Sequence, residues 1–201
     1  MNSSIFKYCL FLSLCLFCCA GTKAQTDVFY SKLSDAAITL TRSKVTYDPS
    51  YFSIKYPGGD VPADKGVCTD VVIRAYRLMN IDLQKEIHLD MKANFDKYPS
   101  RKKWGLKTTD KNIDHRRVPN QQTFFSRKGT VKPITQKAED YQPGDIVSWD
   151  LGNGITHIGI VVNRKNRSGK QYMIVHNIGQ GQVVEDCLFS WKITGHYRYK
   201  K

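Results

Sequence analysis

The sequence predicts an α+β fold, with helices in the first half and an antiparallel sheet in the second. Three observations carry this. In Cys68–Met79, Cys68, Val72, Ala75 and Met79 fall at i, i+4, i+7 and i+11, which places them on one helical face. Leu83, Ile87, Met91 and Phe95 repeat helical spacing behind Asp82, a residue suited to cap a helix start. From Tyr141 onward, short β-branched and aromatic runs alternate with Pro, Gly and Asn turns. Helices and strands in separate blocks make α+β the expected class.

Positions 1–24 read as a secretory signal peptide. Lys7 leads an apolar run from Tyr8 to Ala20, and Thr22-Lys23-Ala24 closes it with small residues at the outer positions. The run is too short for a comfortable transmembrane helix, so no stable membrane span is expected. Leu16 and Phe17 are too bulky for a lipidation signal at Cys18, so a lipoprotein is not the expectation. The chain is expected to be exported, periplasmic or extracellular. Residues 25–201 are expected to form a single domain, with an N-terminal helix and an inserted segment at about 80–140.

Of six cysteines, four leave with the leader, and Cys68 and Cys187 remain. Export permits a disulfide between them, and spacing leaves that open. The leader also removes Lys7 and Lys23, which lowers the formal net charge from +13 to +11. A basic exported protein suits an anionic polymer or an acidic peptide. Arg101-Lys102-Lys103, His115-Arg116-Arg117 and the run Arg164 to Arg167 match no nucleic-acid-binding motif, so no nucleic acid is expected as partner.

Phe29, Leu33, Ala36, Ala37 and Leu40 mark the first helix. The segment from Tyr47 to Asp60 is rich in aromatics and turn formers and reads as an ordered loop, whose tyrosines either cover a helix or line a cleft. Cys68 opens the central helix, with Asp70, Arg74 and Arg77 on its polar side and Asp70 spaced to pair with Arg74. Residues 99–140 are polar, basic and weakly patterned. Within them, Asn112 to Arg117 reads as a surface loop. Asp114, His115 and Arg116 there either shape a substrate site or form an ordinary charged loop. Strands are predicted at Ile146–Trp149, Thr156–Val162 and Tyr172–Asn177, with shorter ones at Val183-Val184 and Ile193–Tyr199.

The chemistry centres on Cys68. At a helix start its thiol feels the positive end of the dipole, which favours the thiolate. The alternative is a small buried hydrophobe. A symmetric closure of the loop Asn163–Lys170 places His157 opposite His176 on one face, where opposed Cβ atoms lie about 4.5–5.5 Å apart. Covering the Cys68 helix with this sheet brings the three side chains toward each other. Cys68 as nucleophile, His157 as base and His176 as orienting group fit a thiol enzyme. A three-ligand zinc set and a pair of structural histidines are the other readings. No fourth ligand or local metal motif is visible, so neither a metal nor a cofactor is expected. Cys187, beside Glu185 and Asp186, is expected to be packed and unreactive.

These residues carry two resemblances. Tyr56-Pro57-Gly58-Gly59 followed by Gly66-Val67-Cys68 resembles the lead-in to the nucleophile of NlpC-type cell-wall cysteine peptidases. Pro143 to Val147 resembles that family's first core strand, His157 to Val161 the strand with its histidine, and Ile174 to His176 the strand with its third polar residue. More closely, Gly66 to Arg77, Asn112 to Pro119 and His176 to Gly181 are similar to an uncharacterised bacterial family, domain of unknown function 1287. The NlpC-type resemblance implies a papain-like fold, with the Cys-bearing helix packed on a small antiparallel sheet. It implies an exported cysteine peptidase or amidase that cleaves amide bonds in peptidoglycan stem peptides. Carried over, Cys68, His157 and His176 are the catalytic triad, and Tyr56 lines the substrate site. The chain departs from the family at Val67-Cys68-Thr69-Asp70 and in the long segment from Asn80 to Asp140. A thiol acyltransferase on the same fold and a non-catalytic wall- or polyanion-binding protein are the alternatives.

Overall fold

The computed structural model describes residues 28–201, so the expected signal peptide lies outside the described residues. The protein is mixed α+β. Among the described residues no helix is long and apolar enough to cross a membrane. Helix α1 spans 28–40 and sends Tyr30, Leu33 and Ala37 into the core. Strands β1 (Thr46–Tyr47) and β2 (Lys65–Gly66) pair in parallel, and β2 feeds directly into α2 (Cys68–Leu78).

The structure corrects the amphipathic reading of α2. Every residue from Cys68 to Tyr76 is buried, including Asp70 and Arg74. The two charges do not pair with each other. Asp70 Oδ2 accepts the Val67 N–H at 2.7 Å, and the same carboxylate takes Arg116 through Nε at 2.9 Å and Nη2 at 3.0 Å. Arg74 reaches Asp60 at 3.0 Å and the carbonyls of Pro62 and Lys65. The loop before α2 closes over the polar side, so each charge must find its partner inside the protein.

Helix α3 (Leu83–Ala93) starts as predicted, with Asp82 accepting the Lys85 N–H at 3.2 Å. Leu83, Ile87 and Met91 are buried, while Phe95 falls in the turn that follows. Helices α4 (Ser100–Trp104) and α5 (Val118–Lys128) come next. Between them Asp114–Arg116 forms one 3₁₀ turn. The expectation of a surface loop here is corrected, since Asp114, His115 and Arg116 are 1, 3 and 6% exposed. The amides of Asn120 and Gln121 donate to the carbonyls of Asp114 and His115, so the first turn of α5 satisfies this backbone.

Strands β3 (Thr130–Val131), β4 (Ile146–Asp150), β5 (Thr156–Lys165), β6 (Tyr172–His176), β7 (Val183–Glu185) and β8 (Lys192–Arg198) form one sheet in the order β3-β8-β4-β5-β6-β7. All five pairings are antiparallel. Alternation splits each strand between two layers. Ile146, Ile158, Ile160, Val162 and Val175 face α2, α3 and α5. Val147, Trp149, Val161 and Ile174 face a second layer built with Tyr141, Cys187, Leu188 and Ile193.

The β5–β6 register also differs from the prediction. Val175 stands opposite Ile160, so His176 stands opposite Gly159, two residues from His157. The turn closes later, with the Asn166 N–H donating to the Gln171 carbonyl, and β5 carries two extra residues between Val162 and Lys165. The Asn163 N–H at this irregularity donates to Ser34 Oγ at 2.8 Å. Helix α1 thus satisfies a backbone donor that the bulge withdraws from the ladder.

The Asp70–Arg116 pair yields a stability prediction. Arg116→Met leaves the Asp70 carboxylate buried without its cation, and loss of one partner of such a pair costs about 3–5 kcal/mol. A urea unfolding curve is expected to move its midpoint down by that free energy divided by the slope, with the slope unchanged. A wild-type midpoint would show that the pair holds nothing.

Candidate active site

Cys68 is 5% exposed and lines a cleft of ≈ 220 Å³ with Tyr47, Trp104, Arg116, Arg117 and Thr156. Burial is the largest influence on its thiol and disfavours the charge. The Ile158 N–H opposes this by facing the sulfur. The Asp70 carboxylate adds to the disfavour, and the N–H groups of Thr69 and Cys68 oppose it. The balance pushes the thiol up to about 12. The expected resting thiolate is therefore corrected. The helix start does act in the predicted direction, but desolvation outweighs it.

His157 and His176 lie on the sheet face turned away from α2, in the second layer, which corrects their expected position on the face under the Cys68 helix. They are 2% and 0% exposed, and Trp149 and Trp191 pack against His157 with ring centroids 5.7 and 5.9 Å away. Their diagonal placement still brings the rings together. Nε2 of His157 lies 2.8 Å from Nδ1 of His176, and Nε2 of His176 lies 2.8 Å from Oε2 of Glu185. Gly159 makes room for this. A Cβ there would stand 2.7 Å from Ile174 Cγ2 and 3.1 Å from His176 Cβ.

The hydrogen-bond chain assigns the protons. A carboxylate only accepts, so His176 carries its proton on Nε2 and donates to Glu185. Its Nδ1 is then a lone pair that accepts from Nε2 of His157. Nδ1 of His157 consequently keeps a lone pair of its own. That atom has no hydrogen-bond partner among the described residues. Burial lowers His157 to about 3, and the neighbouring His176 adds to the shift. Burial also lowers His176, against the opposing pull of Glu185. Both rings are neutral at neutral pH.

The Cys68 sulfur faces the Ile158 N–H, one residue along β5 from His157. Among the described residues it makes no hydrogen bond to either imidazole. The end of β6 is tied to the same place, with Asn177 Nδ2 donating to the Gly66 carbonyl at 3.2 Å. Helix start and histidine pair are therefore each tied to the start of β5, and neither histidine lines the cleft that Cys68 lines. Cys187 lies behind the pair, with Sγ 3.6 Å from His176 Nε2, and both cysteines are free. Its thiol is also pushed up to about 12, by burial first and then by Glu185 and Asp186.

The substrate-side candidates separate. Tyr56 packs edge-on against His88 at 4.9 Å and does not line the cleft, which corrects the expectation for it. Asp114 and His115 are enclosed by the turn they form, and of that group only Arg116 reaches the cleft. Tyr47 and Trp104 hold the places expected of Tyr56, and Trp104 stacks under Arg117 at 4.2 Å. Glu185 was not singled out from the sequence. The alternation of Val183-Val184-Glu185 places it on the histidine face, across from Ile174.

Residues 34–199, which include every residue of this site, match the family described as Domain of unknown function (DUF1287). An uncharacterized protein of Escherichia coli (strain K12), YijF, is 52% identical over 167 residues, covering 83% of this chain and 80% of that protein. The chain belongs to the DUF1287 family.

Proposed function

We propose that this protein is an exported cysteine hydrolase with a papain-like arrangement, cleaving amide bonds in peptidoglycan stem peptides. The observation that carries the reading is the ordered chain that begins at His157, the residue before the Ile158 N–H that faces Cys68. An imidazole with a free lone pair is oriented by a second imidazole, which is oriented by a carboxylate. That is the support a general base needs to activate a nucleophile.

In this reading Cys68 attacks the amide carbonyl carbon as His157 Nδ1 takes the thiol proton. A protonated resting thiol suits such a coupled step. The N–H groups of Cys68 and Thr69 in the first turn of α2, which face the sulfur, would bind the developing oxyanion. His157 returns the proton to the leaving amine, and a thioester to Cys68 remains. Water then attacks the thioester, His157 takes a proton from it, and the acid is released with the thiol restored. His176 and Glu185 hold the His157 ring and disperse its transient positive charge. Arg116 and Arg117 at the cleft suit a peptide bearing carboxylates, and the wall peptide is taken from the NlpC-type resemblance. An amine acceptor in place of water makes the same site a thiol acyltransferase. The net charge of +11 left after the expected loss of Lys7 and Lys23 favours a second reading, a wall-binding protein without turnover.

Digestion of peptidoglycan followed by mass spectrometry is expected to show new amine and carboxyl ends with the wild type and none with Cys68→Ala. Equal products from both proteins would remove Cys68 from the chemistry. Intact sacculi that bind the wild type in a salt-dependent way would leave the binding reading.

His176→Ala is expected to lower kcat by about 10²–10⁴-fold, the range typical of lost acid–base function. It should also displace the acid limb of the pH–rate profile, which a purely structural histidine would leave in place.

Acid should destabilise the fold. His157 and His115 are both lowered from 6.5 to about 3 by burial, His115 with further lowering from Arg116 and Arg77. The unfolded chain therefore takes up these protons first. The stability they contribute is complete above pH 6.5 and is lost as pH falls toward 3, by up to about 1.4 kcal/mol per pH unit for each group. Asp114, raised to about 6 by burial, acts oppositely as one group against two. Unfolding midpoints measured between pH 7 and 4 should fall, and a flat profile would contradict the buried neutral state.

A further inference from the structure

We propose that His176, Glu185 and Cys187 form a binding site for a zinc-type divalent cation, and that occupancy reverses the proton order of the histidine pair. The site itself is independent of the hydrolase reading; only its consequence for catalysis rests on it.

Nε2 of His176, a carboxylate oxygen of Glu185 and Sγ of Cys187 all lie within 4.8 Å of one another. Tetrahedral zinc, with Zn–S of about 2.3 Å and Zn–N and Zn–O of about 2.0–2.2 Å, sets S···N near 3.5 Å and N···O near 3.3 Å. The observed S···N separation is 3.6 Å. The N···O separation is 2.8 Å, so the carboxylate must withdraw by about half an ångström to this zinc geometry. Glu185 is free to do so, because its side chain is 52% exposed whereas His176 and Cys187 are fixed in the core. The same exposure gives an ion its path and leaves a place for water as fourth ligand. Thiolate with imidazole selects a soft or borderline ion over magnesium or calcium. The local charge is favourable in an otherwise basic chain. Glu185 and Asp186 have no Lys or Arg partner among the described residues, since Asp186 is held by the amides of Asn166 and Gln171.

The consequence follows from the two faces of one imidazole. An ion on Nε2 of His176 moves that ring's proton to Nδ1. Nδ1 then donates to Nε2 of His157, and the His157 proton moves to Nδ1. The count on the two rings is unchanged, and the one proton lost to solvent comes from the Cys187 thiol. His157 now presents an N–H where it presented a lone pair, and it no longer accepts the Cys68 proton. The cation switches the base off without touching the nucleophile.

Cobalt(II) is the probe, with the protein purified as its host exports it. Cys68→Ser is expected to develop a sulfur-to-cobalt charge-transfer band that saturates at one ion per chain and is displaced by zinc. The double variant Cys68→Ser/Cys187→Ser should lack it. Glu185→Gln should weaken cobalt binding by more than about tenfold, the loss already typical of outer-shell partners. No band in Cys68→Ser, or an equal band in the double variant, overturns the site. Should Cys187→Ser fail to fold, undiminished affinity in Glu185→Gln overturns it. Nitrogen-15 spectra of the zinc-loaded protein should show His157 Nδ1 protonated, and a retained lone-pair signal overturns the switch. A band in Cys68→Ser with no peptide turnover by the metal-free wild type keeps the site and ends the hydrolase reading; turnover by the metal-free wild type with no band in Cys68→Ser does the reverse.

Discussion

The Asp70 carboxylate is the constraint on which the rest of the architecture turns. It accepts the Val67 N–H and so fixes where α2 begins. It also takes Arg116, which in turn donates to the Ser50 carbonyl at 3.0 Å. One buried acid therefore joins the start of α2, the segment between α4 and α5, and the loop after β1. Cys68 is two residues from it. The nucleophile candidate is placed by an ion pair rather than by packing alone, and a buried pair of this kind tolerates little displacement.

The sheet then divides the chemistry between its faces. The thiol belongs to the helix layer, and the histidines belong to the tryptophan layer. They are linked through the start of β5, where the Ile158 N–H faces the sulfur while the preceding residue turns to the other side. Separation of this kind keeps the imidazoles in a buried aromatic pocket, where a carboxylate at the far end decides which nitrogens carry protons. Local dielectric makes each of those hydrogen bonds count for more than it would in water.

What was legible in the sequence is what depends on near neighbours. The α2 and α3 helices, the Asp82 cap and the alternating strands all follow from spacing within a few residues. The β5–β6 register was not legible, because the bulge after Val162 is stabilised by Ser34, a residue from another element. Burial of Asp114, His115 and Arg116 was hidden for the same reason, as Asp70 lies 46 residues from Arg116 in the chain. The protonation of Cys68 is hidden from the sequence because a helix start reveals its dipole while the depth of burial belongs to the tertiary structure. Tyr47 and Trp104 displaced Tyr56 at the cleft through loop paths that no periodicity encodes.

Gly159 bears on how such a site can vary among relatives. Its role is volume, not backbone freedom. The missing side chain is the space over which His176 leans toward His157, with His176 Cβ 3.1 Å from where a β carbon would stand. A lineage that keeps the paired rings is held to glycine at this place in β5, where a methyl group would also stand 2.9 Å from the Val175 carbonyl.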